Sequence, residues 1–186
     1  MILSLYLSLQ ILIKLIKLNN IKNILIISDT HQRSYNELHN EIKKQISNAN
    51  LVIHCGDITS ENVINGIKKN AKQSILVHGN SDPKEIRESL PMKKIFQIND
   101  ITFGVIHPYW GGPPPIDYEL ILNHFKNIKP QYILFGHTHD SHIEVYKGVT
   151  FINPGQGYSE FIIPASYCVI KMNKNQLSIK ITKILN

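Results

Sequence analysis

The chain has 186 residues, 42% of them hydrophobic and 18% charged, with only two cysteines. A chain of this size buries about 70% of its unfolded surface, so one globular domain is expected and a disordered, collagen-like or disulfide-stapled protein is excluded. The formal charge of +6 favours anionic partners, but the lysines are scattered in runs no longer than two, so no dedicated nucleic-acid patch is expected.

Residues 1–21 read as an appended apolar N-terminal segment ahead of a domain at 22–186. Lys14 and Lys17 come too late for a secretory signal, and Ser4, Ser8, Gln10 and Lys14 interrupt the stretch as a membrane span. The reading is a helix packed on the domain, with membrane contact by residues 1–20 as the alternative; a translation start near Ile21 is a third reading. Cys55 and Cys168 lie in apolar runs without a C-x-x-C spacing, which suits reduced core residues of a cytoplasmic protein.

From residue 22 the pattern alternates. "ILIIS" (24–28) is a β-branched run expected as a buried strand. Ser34-x-x-Glu37 has capping-box spacing before a helical stripe of Leu38, Ile42, Ile46 and Ala49. "LVIHC" (51–55) predicts a strand, 60–69 a helix with Val63, Ile64 and Ile67 on one face, and "SILVHG" (74–79) another strand. Strands alternating with helices imply β-α-β units and a parallel sheet. Further on, "KKIFQI" and "ITFGVI" flank Asn99-Asp100 as a hairpin. A helix near 116–127, the strand "YILF" and two hairpins, across Lys147-Gly148 and across 173–176, complete the pattern. The antiparallel half must pair somewhere, so a mixed or two-sheet α/β architecture with helices outside is expected.

The predicted strands end in polar residues. Asp29 and His31 follow the first, Asp57 the second, Asn80 the third, His107 follows "ITFGVI", and His137 and His139 follow "YILFG". In open α/β sheets the ligand crevice lies beyond the carboxyl ends of the strands, so these side chains can converge. Residues i and i+2 of an extended segment share a face, so Asp29 with His31 and His137 with His139 are expected as two claws. Two carboxylates, one amide and four imidazoles suit borderline first-row ions such as Mn, Fe, Ni or Zn. So many donors are best used by two ions sharing a carboxylate.

"DTH" (29–31), "GD" (56–57), "GNSD" (79–82), His107, "GHTH" (136–139) and "NPG" (153–155) together resemble the calcineurin-like metallophosphoesterases, most closely the small single-domain YfcE-type phosphodiesterases. The resemblance spans residues 24 to about 183. It implies a four-layer αββα sandwich of two mixed sheets with helices outside. It further implies one metal held by Asp29, His31, Asp57 and His139, a second held by Asp57, Asn80, His107 and His137, and Asp57 bridging. Asp57, Asn80 and His107 would be the catalytic residues. The implied cofactor is a pair of divalent ions, Mn²⁺ foremost with Ni²⁺, Fe²⁺ or Zn²⁺ as alternatives. A metal-bridging hydroxide would attack a phosphate ester in line. A retromer-subunit-like scaffold with an idle metal site and a nuclease are the alternative functions, and homo-oligomerisation stays open.

The chain departs from the family pattern at several places. Ser81 stands where larger relatives carry a histidine used as general acid, His107-Pro108-Tyr109 replaces H-G-H, His78 replaces an arginine, and Gln156 ends the usual "NPGS". Tyr109, His78 or a metal-bound water are the candidates for the missing acid. His54 reads as structural or as a support for the ligands, and His39, His124 and His142 have no motif around them. Asp82 fits either an imidazole-orienting role or a turn-stabilising one before Pro83. Asn153 and Pro154 fit either a strand terminus or support of the site, and Tyr109 with Trp110 either a substrate wall or a partner patch.

Overall fold

The computed structural model describes residues 16–108, 116–160, 163–173 and 176–185. The strands are β1 (Ile16–Leu18), β2 (Asn23–Ile27), β3 (Leu51–His54), β4 (Ser74–Leu76), β5 (Lys93–Ile98), β6 (Ile101–Ile106), β7 (Tyr132–Phe135), β8 (His142–Tyr146), β9 (Val149–Asn153), β10 (Ser166–Asn173) and β11 (Gln176–Lys183). The helices are α1 (Asn40–Asn48), α2 (Glu61–Asn70), α3 (Lys84–Ser89) and α4 (Tyr118–Asn123).

Two mixed sheets form, ordered β1-β5-β6-β7-β9-β8 and β11-β10-β2-β3-β4. β2 explains the layering. Both its faces must be buried because Ile24, Leu25, Ile26 and Ile27 are apolar without interruption. Ile24 and Ile26 pack between the sheets with Ile53, Phe96, Phe103, Val105 and Leu134. Leu25 and Ile27 turn the other way, onto Ile42 and Ile46 of α1 and Val63, Ile64 and Ile67 of α2. A third cluster covers the far face of the first sheet, where Ile121 and Phe125 meet Ile133, Phe135 and Phe151. The result is the four-layer α/β sandwich, helices outside. All three expected hairpins form, with β5 on β6, β8 on β9 and β10 on β11 antiparallel.

Some local expectations are corrected. The Ser34 box does form, but it opens a single 3-10 turn over Tyr35–Glu37, after which the backbone extends at Leu38. Leu38 is drawn into the core at 2% exposure, so α1 restarts with the His39 ring capping Glu41 N–H. α3 carries one buried residue, Ile86, too little for a visible stripe. α4 stops at Asn123, short of the expected 127.

Of the appended segment, residues 1–15 lie outside the described residues. Ile16–Leu18 is a strand, not the expected helix, and pairs parallel with β5. The period-2 pattern of I-K-L accounts for this: Ile16 and Leu18 pack against the inter-sheet core while Lys17 is exposed. Among the described residues, no helix is long and apolar enough to cross a membrane.

Candidate metal centre

The sandwich brings the carboxyl ends of β2 and β3 from one sheet against those of β6 and β7 from the other, with the loop after β4 alongside. Asp29, His31, Asp57, His137 and His139 all adopt left-handed φ, between 47° and 81°. Non-glycine residues rarely do so, at a cost of about 1–3 kcal/mol each. The expected extended claws are thus replaced by tight left-handed turns, which aim Asp29 and His31 together but send His137 and His139 apart. Glycine is required beside them: a Cβ on Gly136 would strike Ser28 Oγ and Asp29 Oδ2, and one on Gly79 would strike Asp57 Oδ1.

The loops are cross-tied by backbone. Asp29 N–H donates to Gly56 O (3.0 Å) and His31 N–H to Asp57 O (3.3 Å). Asp82, 2% exposed, accepts from the N–H groups of Asp57 (3.1 Å), Thr59 (2.6 Å) and Gly79 (2.6 Å). Of its two expected roles it therefore takes the turn-stabilising one. Asn153 clamps the His137 loop, donating to Thr138 Oγ1 (2.9 Å) and accepting Gly155 N–H (2.9 Å).

Two groups of side chains could each hold a cation: Asp29, His31 and His139, and Asp29, Asp57 and His107. His139 Nε2 stands 3.4 Å from Asp29 Oδ1, and His107 Nε2 stands 3.4 Å from Asp57 Oδ2 and 4.0 Å from Asp29 Oδ1. His31 Nε2 lies 3.8 Å from Asp57 Oδ2, so Asp57 borders both groups. Asn80 Oδ1 is 3.2 Å from His107 Nε2. His137 sits edge-on to His107 at 5.3 Å between ring centroids and gives its backbone N–H to Asp29. All seven candidate residues thus border one small volume, although Asn80 and His137 fall outside the two tight groups.

The donor set fits divalent cations. His31 Nε2 is buried with no hydrogen-bond partner. His107 donates its Nδ1–H to Cys55 O at 2.9 Å, so Nε2 faces the oxygen atoms of Asn80, Asp57 and Asp29. Separations of 3.4–4.0 Å are longer than good hydrogen bonds. The two 3.4 Å separations suit ligands flanking an ion, since donors about 2.1 Å from a shared centre stand about 3.0–3.4 Å apart, while the 4.0 Å one is wider than that.

Charge is balanced by imidazoles. Burial pushes the Asp29 carboxyl up, but the His139 hydrogen bond and the His107 charge together hold it below the ordinary value. At Asp57 burial is likewise outweighed, here by His107 and by Ser81, whose N–H and Oγ–H each donate at 2.8 Å. Burial lowers His107, yet its carboxylate neighbours lift it above normal. His139 is raised by Asp29, whereas burial and the His107 charge lower His137. His54 is the exception. Burial drops it to about 3, and it sits neutral, Nδ1 accepting Gly56 N–H and Nε2–H donating to Thr30 Oγ1, a support rather than a ligand.

Ser81 was named only for the general-acid position it fills, and its hold on Asp57 went unread although it stands directly after Asn80. Tyr158, edge-on to His31 and His139, carries no sequence signal beyond following "NPG". Tyr109 and Trp110 lie outside the described residues. The His78 ring lies 3.3 Å from the neighbouring carbonyl of Gly79, and its backbone N–H donates to Pro91 O.

Comparison with known proteins places the chain in a family. Residues 23–175 match the model of the calcineurin-like phosphoesterase superfamily domain. A probable metallophosphoesterase of Methanocaldococcus jannaschii is 36% identical over 132 residues, covering 70% of this chain and 65% of that protein. A phosphodiesterase of the same archaeon is 29% identical over 147 residues, 70% of this chain and 81% of that one. Among solved structures, a Thermotoga maritima protein superposes with TM-score 0.71 at 32% identity, covering 88% of this chain and all of the other. Vacuolar protein sorting 29 of Cryptosporidium parvum superposes with TM-score 0.67 at 18% identity over 89% and 98% of the two chains, a likeness of fold alone. The family model spans most of the chain and falls on the very loops that gather these side chains, and the chain belongs to the calcineurin-like phosphoesterase superfamily.

Proposed function

We propose that this phosphoesterase is a phosphodiesterase working at a two-cation centre. The first cation would rest on Asp29, His31 and His139, the second on His107, Asn80 and His137, with Asp57 between them. One observation carries the reading: two buried carboxylates face imidazole nitrogens from separate strands at 3.4–4.0 Å, with no lysine or arginine ion-paired to either carboxylate among the described residues. The mixed nitrogen and oxygen donors suit Mn²⁺, with Fe²⁺, Ni²⁺ or Zn²⁺ as alternatives. Bound there, such ions supply Lewis acidity, lowering the pKa of water and neutralising charge that builds on phosphoryl oxygens during in-line displacement.

The chain's own residues do the positioning. Ser81 takes both Asp57 oxygens and fixes the carboxylate plane. Cys55 O sets His107 so that Nε2 points inward. His31 and His139 keep side-chain exposures of 25% and 33%, which leaves a rim open to a phosphate substituted on both sides. The phosphodiesterase relative supports a diester. The complete donor set favours catalysis over an idle-site scaffold, and scattered lysines favour a small substrate over nucleic acid. Two free buried thiols suit the cytoplasm.

The test is to measure metal content, then hydrolysis of chromogenic phosphodiesters, phosphomonoesters and oligonucleotides with Mn²⁺, in wild type and Asp57→Asn. Diester hydrolysis abolished by chelator and by the substitution is expected. Turnover indifferent to both would sink the proposal.

A further inference from the structure

Among the described residues, the outer strands of the two sheets are β1, β8, β11 and β4. An outer strand offers unpaired backbone to other chains unless it is short or carries lysines. β1 and β4 have three residues each, and β1 exposes Lys17. β11 exposes Lys180 and Lys183 while Leu177, Ile179 and Ile181 pack on the inter-sheet core. β8 has none of these guards. Its residues, His142-Ile143-Glu144-Val145-Tyr146, include no lysine or proline, and Ile143 and Val145 are 42% and 63% exposed.

The hairpin register fixes which backbone groups β8 presents. Lys147 and Gly148, with φ of 49° and 79°, close a two-residue turn, so the flanking Tyr146 and Val149 exchange hydrogen bonds. Bonded pairs alternate along an antiparallel ladder, so Glu144 with Phe151 and His142 with Asn153 are bonded too. The N–H and C=O of Ile143 and Val145 therefore point away from β9. Their side chains share the face of Ile152 and Thr150, which stand opposite them. Ile152 belongs to the inter-sheet core, but the second sheet has five strands against six, and the β8 end of that face is left bare. Free backbone and exposed apolar side chains thus coincide at the same two positions.

We propose that β8 is an interface for a second copy of this chain, pairing antiparallel with its own counterpart so that the two six-stranded sheets run on as one. Charge selects the register. A two-fold axis at Glu144 would set the two Glu144 carboxylates opposite each other at the closer, non-hydrogen-bonded spacing, a destabilising pair. An axis at Val145 would set Ile143 against Lys147. With the axis at Ile143, each Glu144 stands beside His142 of the second copy, the two Ile143 side chains meet, and Val145 bonds the backbone of Ser141. This acid-to-imidazole match, made twice by one strand with itself, is what points to a second copy. A single strand pair buries less than the ~1,200 Å² of a standard interface, so the dimer is weak and reversible.

Analytical ultracentrifugation and hydrogen exchange on the full chain test this. Wild type should be monomeric at about 1 µM and largely dimeric at about 200 µM. Val145→Lys puts the missing guard on the edge and should weaken dimerisation at least about tenfold, with the melting temperature of the monomer unchanged. The Ile143 and Val145 amides should exchange fast in dilute wild type and slowly in concentrated wild type, while the Glu144 amide, bonded to β9, exchanges slowly in both. A wild type that stays monomeric at the higher concentration, a dimer that survives Val145→Lys, or Ile143 and Val145 amides indifferent to concentration would each overturn the inference.

Discussion

The Asp82 carboxylate holds Asp57 from behind: Oδ2 accepts Asp57 N–H at 3.1 Å while also accepting Gly79 N–H, and Oδ1 accepts Thr59 N–H. One side chain thereby joins the loop after β3 to the loop after β4 and fixes the left-handed turn at Asp57. Asp82→Ala leaves three donors in a buried site without their acceptor. An unmet buried donor costs about 1–3 kcal/mol, and water entering the gap would recover part, so a loss of about 2–4 kcal/mol is expected. Urea denaturation would measure it. A variant as stable as wild type would show that the loops hold without the clasp.

His54 makes stability depend on pH. Its folded pKa is about 3 against 6.5 when unfolded. Above pH 6.5 neither state binds the proton and His54 contributes nothing to the slope. As pH falls below 6.5 the unfolded chain is protonated while the folded one is not, so stability drops progressively until about pH 3. At pH 5 the deficit is about 2 kcal/mol. His54→Gln keeps an acceptor for Gly56 N–H and a donor for Thr30 Oγ1 without titrating. Between pH 7.5 and pH 5 wild type should lose about 2 kcal/mol more than His54→Gln; parallel losses would mean that His54 is protonated in the fold.

What the sequence announced and what it hid divide along a physical line. The run "ILIIS" and the turn Asn99-Asp100 declare themselves because burial on both faces and hairpin closure are local demands on residue type. The polar residues at strand ends were legible for the same reason, since an Asp or His that ends an apolar run needs a partner. The left-handed backbone at Asp29, His31, Asp57, His137 and His139 was hidden, because only packing against another loop can enforce it. Asp82 on Asp57 and Tyr158 beside His139 were hidden too, as each contact joins loops that no period relates. β1 escaped because its three residues acquire meaning only from the β5 edge they cover.

Ser81 offers a cleaner perturbation than any ligand. Its backbone N–H and its hydroxyl hold different oxygens of Asp57, so Ser81→Ala removes one bond and leaves the other. Asp57 should stay in place but turn more freely, weakening Mn²⁺ binding about 10-fold, the low end for supports of metal ligands, with little change in denaturation midpoint. Mn²⁺ titration of the two proteins checks this. Unchanged affinity would make the hydroxyl a bystander, and unfolding would make it structural.

Removing cations should soften the fold in proportion to their affinity. Asp29, buried completely, is faced among the described residues by imidazoles and the His137 N–H and is ion-paired to no lysine or arginine, and an ion that binds the folded chain alone stabilises it by about 2.7 kcal/mol at a hundred times its Kd. For a domain of this size about 1 kcal/mol moves Tm by about 2–4 °C, so EDTA should lower the melting temperature by about 5–10 °C relative to saturating Mn²⁺. Asp29→Asn, which keeps the shape of the side chain but not its charge, should melt with much less dependence on Mn²⁺. Calorimetric scans of both proteins with and without EDTA test the pair of claims. An equal response in the two would place the stabilising ion away from Asp29, and no response in wild type would remove the cation from the account of stability.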